Sequence, residues 1–406
     1  MLDLSACLDD SVAHNNSVFH NCAGLDLDTG EQDGVLNGTV NTAAVCDHGI
    51  LNYCALCDLV AGHTSLECEW FQKSCQPEKN EYSNRYIWTD KWDKDCVDGI
   101  GGYSQRNGRF MKNFFYCQPA LNYGFQNIDD PAWQLPPDHP DCLATKQELL
   151  NIMDHWIKLG ADGFRLDVAD ELPDAFLKLL YDRVKEINPD AYVLGEVWED
   201  ASNKTAHDVR RTYFTNAELD SVMNYPFRTA IINFIRGWDS GHVLKDTVMS
   251  IVENYPQEAV HCNMNLLGTH DTPRILTALV DDFDGSREEK AKRHLSRNQL
   301  EVARERLLMA SFLQYTLPGS PSLYYGDEAG MEGYKDPFNR RPYPWGREDY
   351  DLLSHFIRLG QLRKNCEALR LGDIQFFQAG DRHLGFSRSY KGKTVKVFAN
   401  RSGDSW

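Results

Sequence analysis

Apolar positions along the chain switch between two periods. Leu149, Ile152, Met153, Trp156, Ile157 and Leu159 recur at helical spacing until Gly160 stops the run. Thr145, with Glu148 three residues on, reads as a capping box, so the spacing predicts a helix beginning there. GFRLDV (163–168) follows as a short buried strand. Pro173 opens a second helix with Phe176, Leu180, Val184 and Ile187 inward, closed by Asn188-Pro189. AYVLGEV (191–197) is the next strand. MNLLGTHD (264–271) and SPSLYYGDE (320–328) repeat the strand pattern, with an apolar-faced helix over 301–315 between them. ILNYCALCDLV (50–60) reads as an earlier buried strand. Strand–helix–strand alternation of this kind implies a parallel sheet.

Two regions break the rhythm. Residues 64–143 are rich in aromatics, Asn, Asp and Gly without helical periodicity, which predicts a long insertion between a strand and its helix. HLGFSRSY and TVKVFANR flank Lys391-Gly392-Lys393, a hairpin signature, so 371–406 reads as the first strands of a small antiparallel unit. The charged stretch 281–299 reads as a solvated helix face or loop. Residues 1–50 show neither period and carry no functional assignment.

Composition narrows the picture. With 406 residues and 42% hydrophobic content the chain can bury a large core and a smaller second one. A net charge of −18 disfavours nucleic acid and anionic membrane as partners and is compatible with a neutral substrate. No apolar run approaches the ~18 residues of a membrane span, and MLDLSACLDD has neither a basic nor an apolar leader region. The spacing Cys54, Cys57, Cys68, Cys75 invites a zinc reading. Cys54 and Cys57 sit inside an apolar strand, though, where thiols pack as small hydrophobes, and that reading is preferred. Free thiols and the absence of a leader lead to an expected cytoplasmic location.

Three acidic residues end predicted strands: Asp167, Glu196 and Asp271. Asp167 and Glu196 are 29 residues apart, and Glu196 and Asp271 are 75 apart. A (β/α)8 barrel uses ~30 residues per strand-plus-helix unit and puts catalytic groups at the C-terminal strand ends. The spacing therefore places the three on strands four, five and seven. Asp58 would end strand three, and SPSLYYGDE would be strand eight. Converging carboxylates suit glycoside hydrolysis, in which one carboxylate attacks the anomeric carbon and another carboxyl protonates the leaving oxygen. Arg165 shares a strand face with Asp167. Glu196, facing two other carboxylates, is expected to have a raised pKa and so to act as the acid. His63 and His270 can donate hydrogen bonds to sugar hydroxyls.

CDLVAGHTS, GFRLDVADE, VLGEVWE and LLGTHDTPR resemble, in the family's order, the four short conserved stretches of the α-amylase family, and QPALN (118–122) resembles its fifth. GSPSLYYGDEAGMEGYKDPFNRRPYPW resembles the strand-eight segment of maltodextrin-acting members. The resemblance implies a (β/α)8 TIM barrel with a domain B inserted after strand three and a partial C-terminal antiparallel β domain. The corresponding boundaries are 1–63 (barrel start), 64–143 (domain B), 144–370 (remaining barrel) and 371–406 (truncated domain C). It further implies Asp167 as nucleophile, Glu196 as acid/base and Asp271 as transition-state stabiliser. Arg165, His63, His270, Arg274 and Asn122 would contact substrate, with Asp58 supporting the site.

The implied activity is retaining hydrolysis of α-1,4, and by extension α-1,6, glucosidic bonds in maltodextrin, starch or cyclodextrins. LDSVMNYPF (219–227) and the RRP at 340–342 resemble the cyclomaltodextrinase and neopullulanase branch. YIWTD and QP resemble oligo-1,6-glucosidases. A trehalose-synthase-like transglycosylase or isomerase, and an inactive carbohydrate-binding relative, are the alternatives. No cofactor or metal is expected; the family's calcium-binding Asn is Gly62 here, so calcium is not predicted. Phe114, Phe115, Tyr116 and Tyr123 are candidates to stack on glucose, with at least half expected to pack the insertion's own core instead.

Overall fold

The computed structural model describes residues 40–41, 55–89, 96–98, 108–124 and 135–402. Most of the expected barrel start therefore lies outside the described residues, Cys54 included. Within the described part, six parallel strands follow one another in space as they do in sequence. Leu56–Leu59 pairs with Gly163–Leu166, which pairs with Tyr192–Gly195 and then Ser221–Val222. A parallel bridge from Met223 to Met264 carries the order to Met264–Leu266, which pairs with Ser320–Ser322. These are strands three to eight of the (β/α)8 architecture. Val40–Asn41 lies on the other edge of Leu56–Leu59, paired antiparallel.

Strand parity sorts the side chains into two layers. Leu59, Phe164, Leu166, Val193 and Val222 join the large core shared with the surrounding helices. Leu56, Tyr192, Leu194, Met223, Tyr225 and Leu266 form a second buried cluster on the inner face. Continuing that inner parity towards the C-terminal ends leads from Leu56 to Asp58 and from Leu194 to Glu196. The apolar inner cluster is thus the floor on which the acidic residues stand.

The helix Pro140–Lys158 begins earlier than the pattern at Thr145 suggests. His139 caps it and Pro140 occupies the first turn, where a missing N–H costs nothing. Thr145 is interior and buried, and its hydroxyl donates back to the Asp141 carbonyl at 2.9 Å. The next helix, Asp174–Ile187, starts after Pro173 and ends at Asn188, as its punctuation implies. Residues 196–220 contain turns and a two-residue hairpin but no α-helix, so this unit departs from the regular alternation.

In the 64–143 stretch, Arg109–Met111 is the centre of a three-stranded sheet with Trp88–Thr89 and Cys96–Asp98. Phe71, Tyr86, Trp88 and Phe110 pack together there, with ring centroids 4.9–5.9 Å apart. Tyr123 is buried against Phe176 at 4.0 Å. Phe114, Phe115 and Tyr116 are 49%, 64% and 65% exposed, so of the four candidate stacking rings Tyr123 alone packs inward. Cys57 and Cys68 are buried thiols. Among the described residues no group of three or more His, Cys, Asp or Glu could hold a metal ion, and no helix is long and apolar enough to cross a membrane.

At the C-terminal end, Asp373–Ala379, His383–Tyr390 and Lys393–Asn400 form an antiparallel meander. Lys391 and Gly392 turn the hairpin with φ of 47° and 76°. Fully buried Arg388 fastens this sheet to the barrel, donating to the Thr316 carbonyl at 2.7 Å and the Gly372 carbonyl at 2.8 Å.

Glu328, just past the last barrel strand, is 5% exposed. Burial, reinforced by the neighbouring Asp327, pushes its carboxyl up to about 7. An unfolded Glu titrates near ~4.3, so between that value and 7 the folded chain binds the extra proton. Its stability contribution is therefore fullest at low pH and is lost as pH rises towards 7. Glu328→Gln should remove this dependence. Thermal melts are expected to show the variant gaining on wild type between pH 5 and 8, by on the order of a few °C.

Candidate active site

The site is built around one buried cation. Arg165, 3% exposed, projects from the inner face of Gly163–Leu166. Its Nη1 donates to Asp58 Oδ1 and to Asp167 Oδ1, both at 2.7 Å. Its Nη2 lies 2.8 Å from Glu196 Oε2 as an ion pair without hydrogen-bond alignment. Three carboxylates from adjacent strands therefore share a single guanidinium. Adjacent parallel strands in register hold these groups level, since Leu56 pairs with Gly163 and Gly163 with Tyr192.

One positive charge does not balance three negative ones in a desolvated place. Burial pushes Asp58 up to about 6, opposed by Arg165 and aided by Asp167 and Glu196. Burial raises Glu196 as well; Arg165 opposes this, and the Asp167 and Asp271 carboxylates add to it. A raised carboxyl that stays protonated nearer neutrality is what an acid catalyst needs.

The backbone helps to hold Glu196. Straight after Asp167 the chain turns at Val168 with φ 40° and ψ 64°, a left-handed conformation that costs a β-branched residue ~1–3 kcal/mol. The turn lets the Val168 N–H donate to Glu196 Oε2 at 2.9 Å. Nothing in the residue type signals it, because valine is among the least expected residues at such a φ. Trp198, two residues after Glu196, donates its indole N–H to Glu196 Oε1 at 3.0 Å.

Asp271 and His270 follow strand Met264–Leu266 at the same end. His270 Nε2 lies 3.1 Å from Asp271 Oδ2. Burial, with Arg165 and Arg340 nearby, pushes His270 down to about 4, so it is neutral near pH 7. Burial raises the Asp271 carboxyl. Asn339, fully buried, braces this loop by donating to the carbonyls of Thr269, His270 and Thr272. Arg340 Nη2 lies 3.7 Å from Asp271 Oδ1. Neither Asn339 nor Arg340 is read as a site residue from the sequence; both reach the loop from some 70 positions away.

His63 arrives from the segment after Leu56–Leu59. Burial lowers its pKa, and Asp167 opposes the shift. The Asn113 amide nitrogen lies 3.2 Å from His63 Nδ1 and can only donate, so Nδ1 accepts and Nε2 carries the proton. A Cβ at Gly62 would come 2.8 Å from that same Asn113 nitrogen. Gly62 thus makes room for Asn113 and offers no side-chain oxygen of its own.

Two residues expected to contact substrate are engaged by protein groups. Arg274 is 0% exposed. It donates to the Asn339 carbonyl at 2.7 Å and to the Tyr325 carbonyl, pairs with Asp327 at 3.2 Å and lies over the Tyr324 ring at 4.2 Å. It locks the Asp271 loop to the 324–339 segment and is closed to a ligand. Asn122 is 3% exposed, and its side-chain Oδ1 accepts the Gly124 N–H at 3.1 Å. A strand-end polar residue can serve the loop's own backbone, and here that use wins.

The comparisons agree with this geometry. A cyclomaltodextrinase from Geobacillus thermopakistaniensis is 34% identical over 294 residues, covering 71% of this chain and 44% of that protein. Neopullulanase 2 from Thermoactinomyces vulgaris is 32% identical over 301 residues, covering 73% of this chain and 46% of the relative. A solved cyclomaltodextrinase structure superposes with a TM-score of 0.66 at 29% identity, covering 85% of this chain and 51% of that one. The chain spans under half the length of the curated relatives it matches. Residues 51–369 match the family described as the α-amylase catalytic domain, and they carry the six parallel strands and the acidic residues of the site; the chain belongs to that family.

Proposed function

We propose that this chain is a retaining glycoside hydrolase acting on α-glucans, with Asp167 as nucleophile, Glu196 as acid/base and Asp271 gripping sugar hydroxyls. The observation that carries the reading is the Arg165 guanidinium bridging Asp167 and Glu196 at neighbouring strand ends. A retaining pair works at ~5–5.5 Å, and two carboxylates held by one guanidinium fit such a close setting.

In the first step Asp167 bonds to the anomeric carbon as the bond to the leaving sugar oxygen breaks, and the Glu196 proton passes to that oxygen. In the second, Glu196 takes a proton from water, the water oxygen bonds to the anomeric carbon, and Asp167 is released. Two inversions leave the configuration unchanged. Neutral His63 and His270 are donors for sugar hydroxyls, and Arg165 holds the carboxylates through both steps. No organic cofactor is needed, because the carboxylates supply the proton and the nucleophile.

The names of the relatives support α-1,4-linked maltodextrins and cyclodextrins as substrates, with α-1,6 bonds as an extension. Residues 64–143 are read as the inserted domain walling the cleft, where the exposed Phe114, Phe115 and Tyr116 offer ring faces near His63 through the neighbouring Asn113. The other boundaries, at 63, 143 and 370, belong to the same reading. Cytoplasmic action fits the buried thiols Cys57 and Cys68.

Reducing-end release from maltodextrin and from a cyclodextrin tests the proposal. Net gain of reducing ends is expected from both. A folded yet inert protein would contradict it, and larger or rearranged products without net gain would favour transglycosylation.

A further inference from the structure

The two oxygens of Glu196 have unequal surroundings. Oε2 accepts the Val168 N–H at 2.9 Å and lies 2.8 Å from the Arg165 guanidinium, so a backbone dipole and a full cation both favour negative charge there. Oε1 accepts one bond, from the neutral indole N–H of Trp198 at 3.0 Å. The other titratable groups facing this carboxyl are Asp58, Asp167, Asp271, His270 and the Tyr225 hydroxyl. A proton on Oε2 would oppose one N–H donor and one cation, whereas a proton on Oε1 meets one uncharged donor that the hydroxyl's second lone pair can still accept.

The indole is itself clamped. Its ring stacks on Tyr225 at 4.0 Å and 9°. Tyr225 is 2% exposed, belongs to the inner apolar cluster and begins the helix Tyr225–Arg236. Trp198 is 44% exposed, so burial alone would not fix its orientation. The stack fixes the indole plane, and the plane fixes where its N–H points.

We propose that Val168 and Arg165 leave Oε1 of Glu196 as the proton-carrying oxygen and that the Tyr225–Trp198 stack holds that oxygen towards the leaving group. Trp198 is then a positioning residue, acting through Glu196. After the proton has left, the same N–H steadies the carboxylate until it takes the proton of the attacking water. The inference rests on the hydrolase reading above.

Trp198→Phe tests it, compared with wild type on two substrates. Maltotriose has a poor leaving group that needs the acid; nitrophenol release from 4-nitrophenyl α-maltoside needs little protonation. The variant is expected to lose about tenfold or more in kcat/KM on maltotriose, and several-fold less on the nitrophenyl substrate. Loss of a donor to the carboxylate should also move the basic limb of the maltotriose profile to higher pH. Because both substrates sample the same folded fraction, a destabilised variant does not alter the ratio of the two losses. Equal losses with an unmoved basic limb would overturn the proposal and leave Trp198 as a wall of the site. A wild type inert on both substrates would overturn the hydrolase reading, and this inference with it.

Discussion

Asp167→Asn is expected to lose roughly 10⁴-fold or more of the wild-type kcat on maltodextrin while remaining folded. The amide has almost the shape of the carboxylate but cannot form the glycosyl–enzyme bond. Its carbonyl oxygen can still accept from Arg165 Nη1, which also keeps its bond to Asp58 at 2.7 Å. Removing one of three carboxylates that crowd a single guanidinium lessens like-charge repulsion, so the melting temperature should hold or rise. Steady-state assays paired with thermal melts check both halves. Near-wild-type activity would mean that the attacking group lies elsewhere; lost activity with a collapsed fold would mean that Asp167 is structural.

On the proposed reading Glu196→Gln removes the proton donor while keeping one oxygen, able to accept from Val168 or from Trp198, which bond different oxygens of Glu196. Losing a positioned acid costs ~10²–10⁴-fold, and the loss should be largest on unactivated maltodextrin. A substrate with a nitrophenyl leaving group should suffer much less in its first step. The variant should also lose the basic limb of the pH profile, because that limb reports deprotonation of the raised Glu196 carboxyl. Activity on maltodextrin unaffected by the change would show that another group is the acid. The proposed roles of these two carboxylates differ, so their variants should separate by leaving-group dependence as well as by size of loss.

What the sequence discloses of this fold follows from local physics. GFRL and YVLG are buried at every position, which is how strands covered on both faces read, and the acidic residue comes where each run ends. Pro173 and Asn188-Pro189 punctuate their helix correctly because proline restricts its own backbone and that of the residue before it. At Thr145 the local signal misleads. A Ser/Thr with Glu three residues on is also compatible with a mid-helix hydroxyl bonding back to residue i−4, and Pro140 was the true start signal.

The site is legible as a set of strand-end acids but not as a network. That Arg165 bridges Asp58 and Glu196 depends on strand register, which the chain does not state locally. Arg274 looks like a ligand contact from its place after Asp271, yet the Asn339 carbonyl and Asp327 claim it from far along the chain. The strained Val168 and the stacked Trp198–Tyr225 pair likewise exist only once the strands are assembled.

The measurement that tests the central claim most directly is the anomeric configuration of the first product released from a maltooligosaccharide, followed by proton NMR before mutarotation. Double displacement through Asp167 requires the α-anomer to appear first, with the β-anomer growing in only as the solution equilibrates. Initial appearance of the β-anomer would mean direct attack by water and would contradict the assignment of Asp167 as nucleophile.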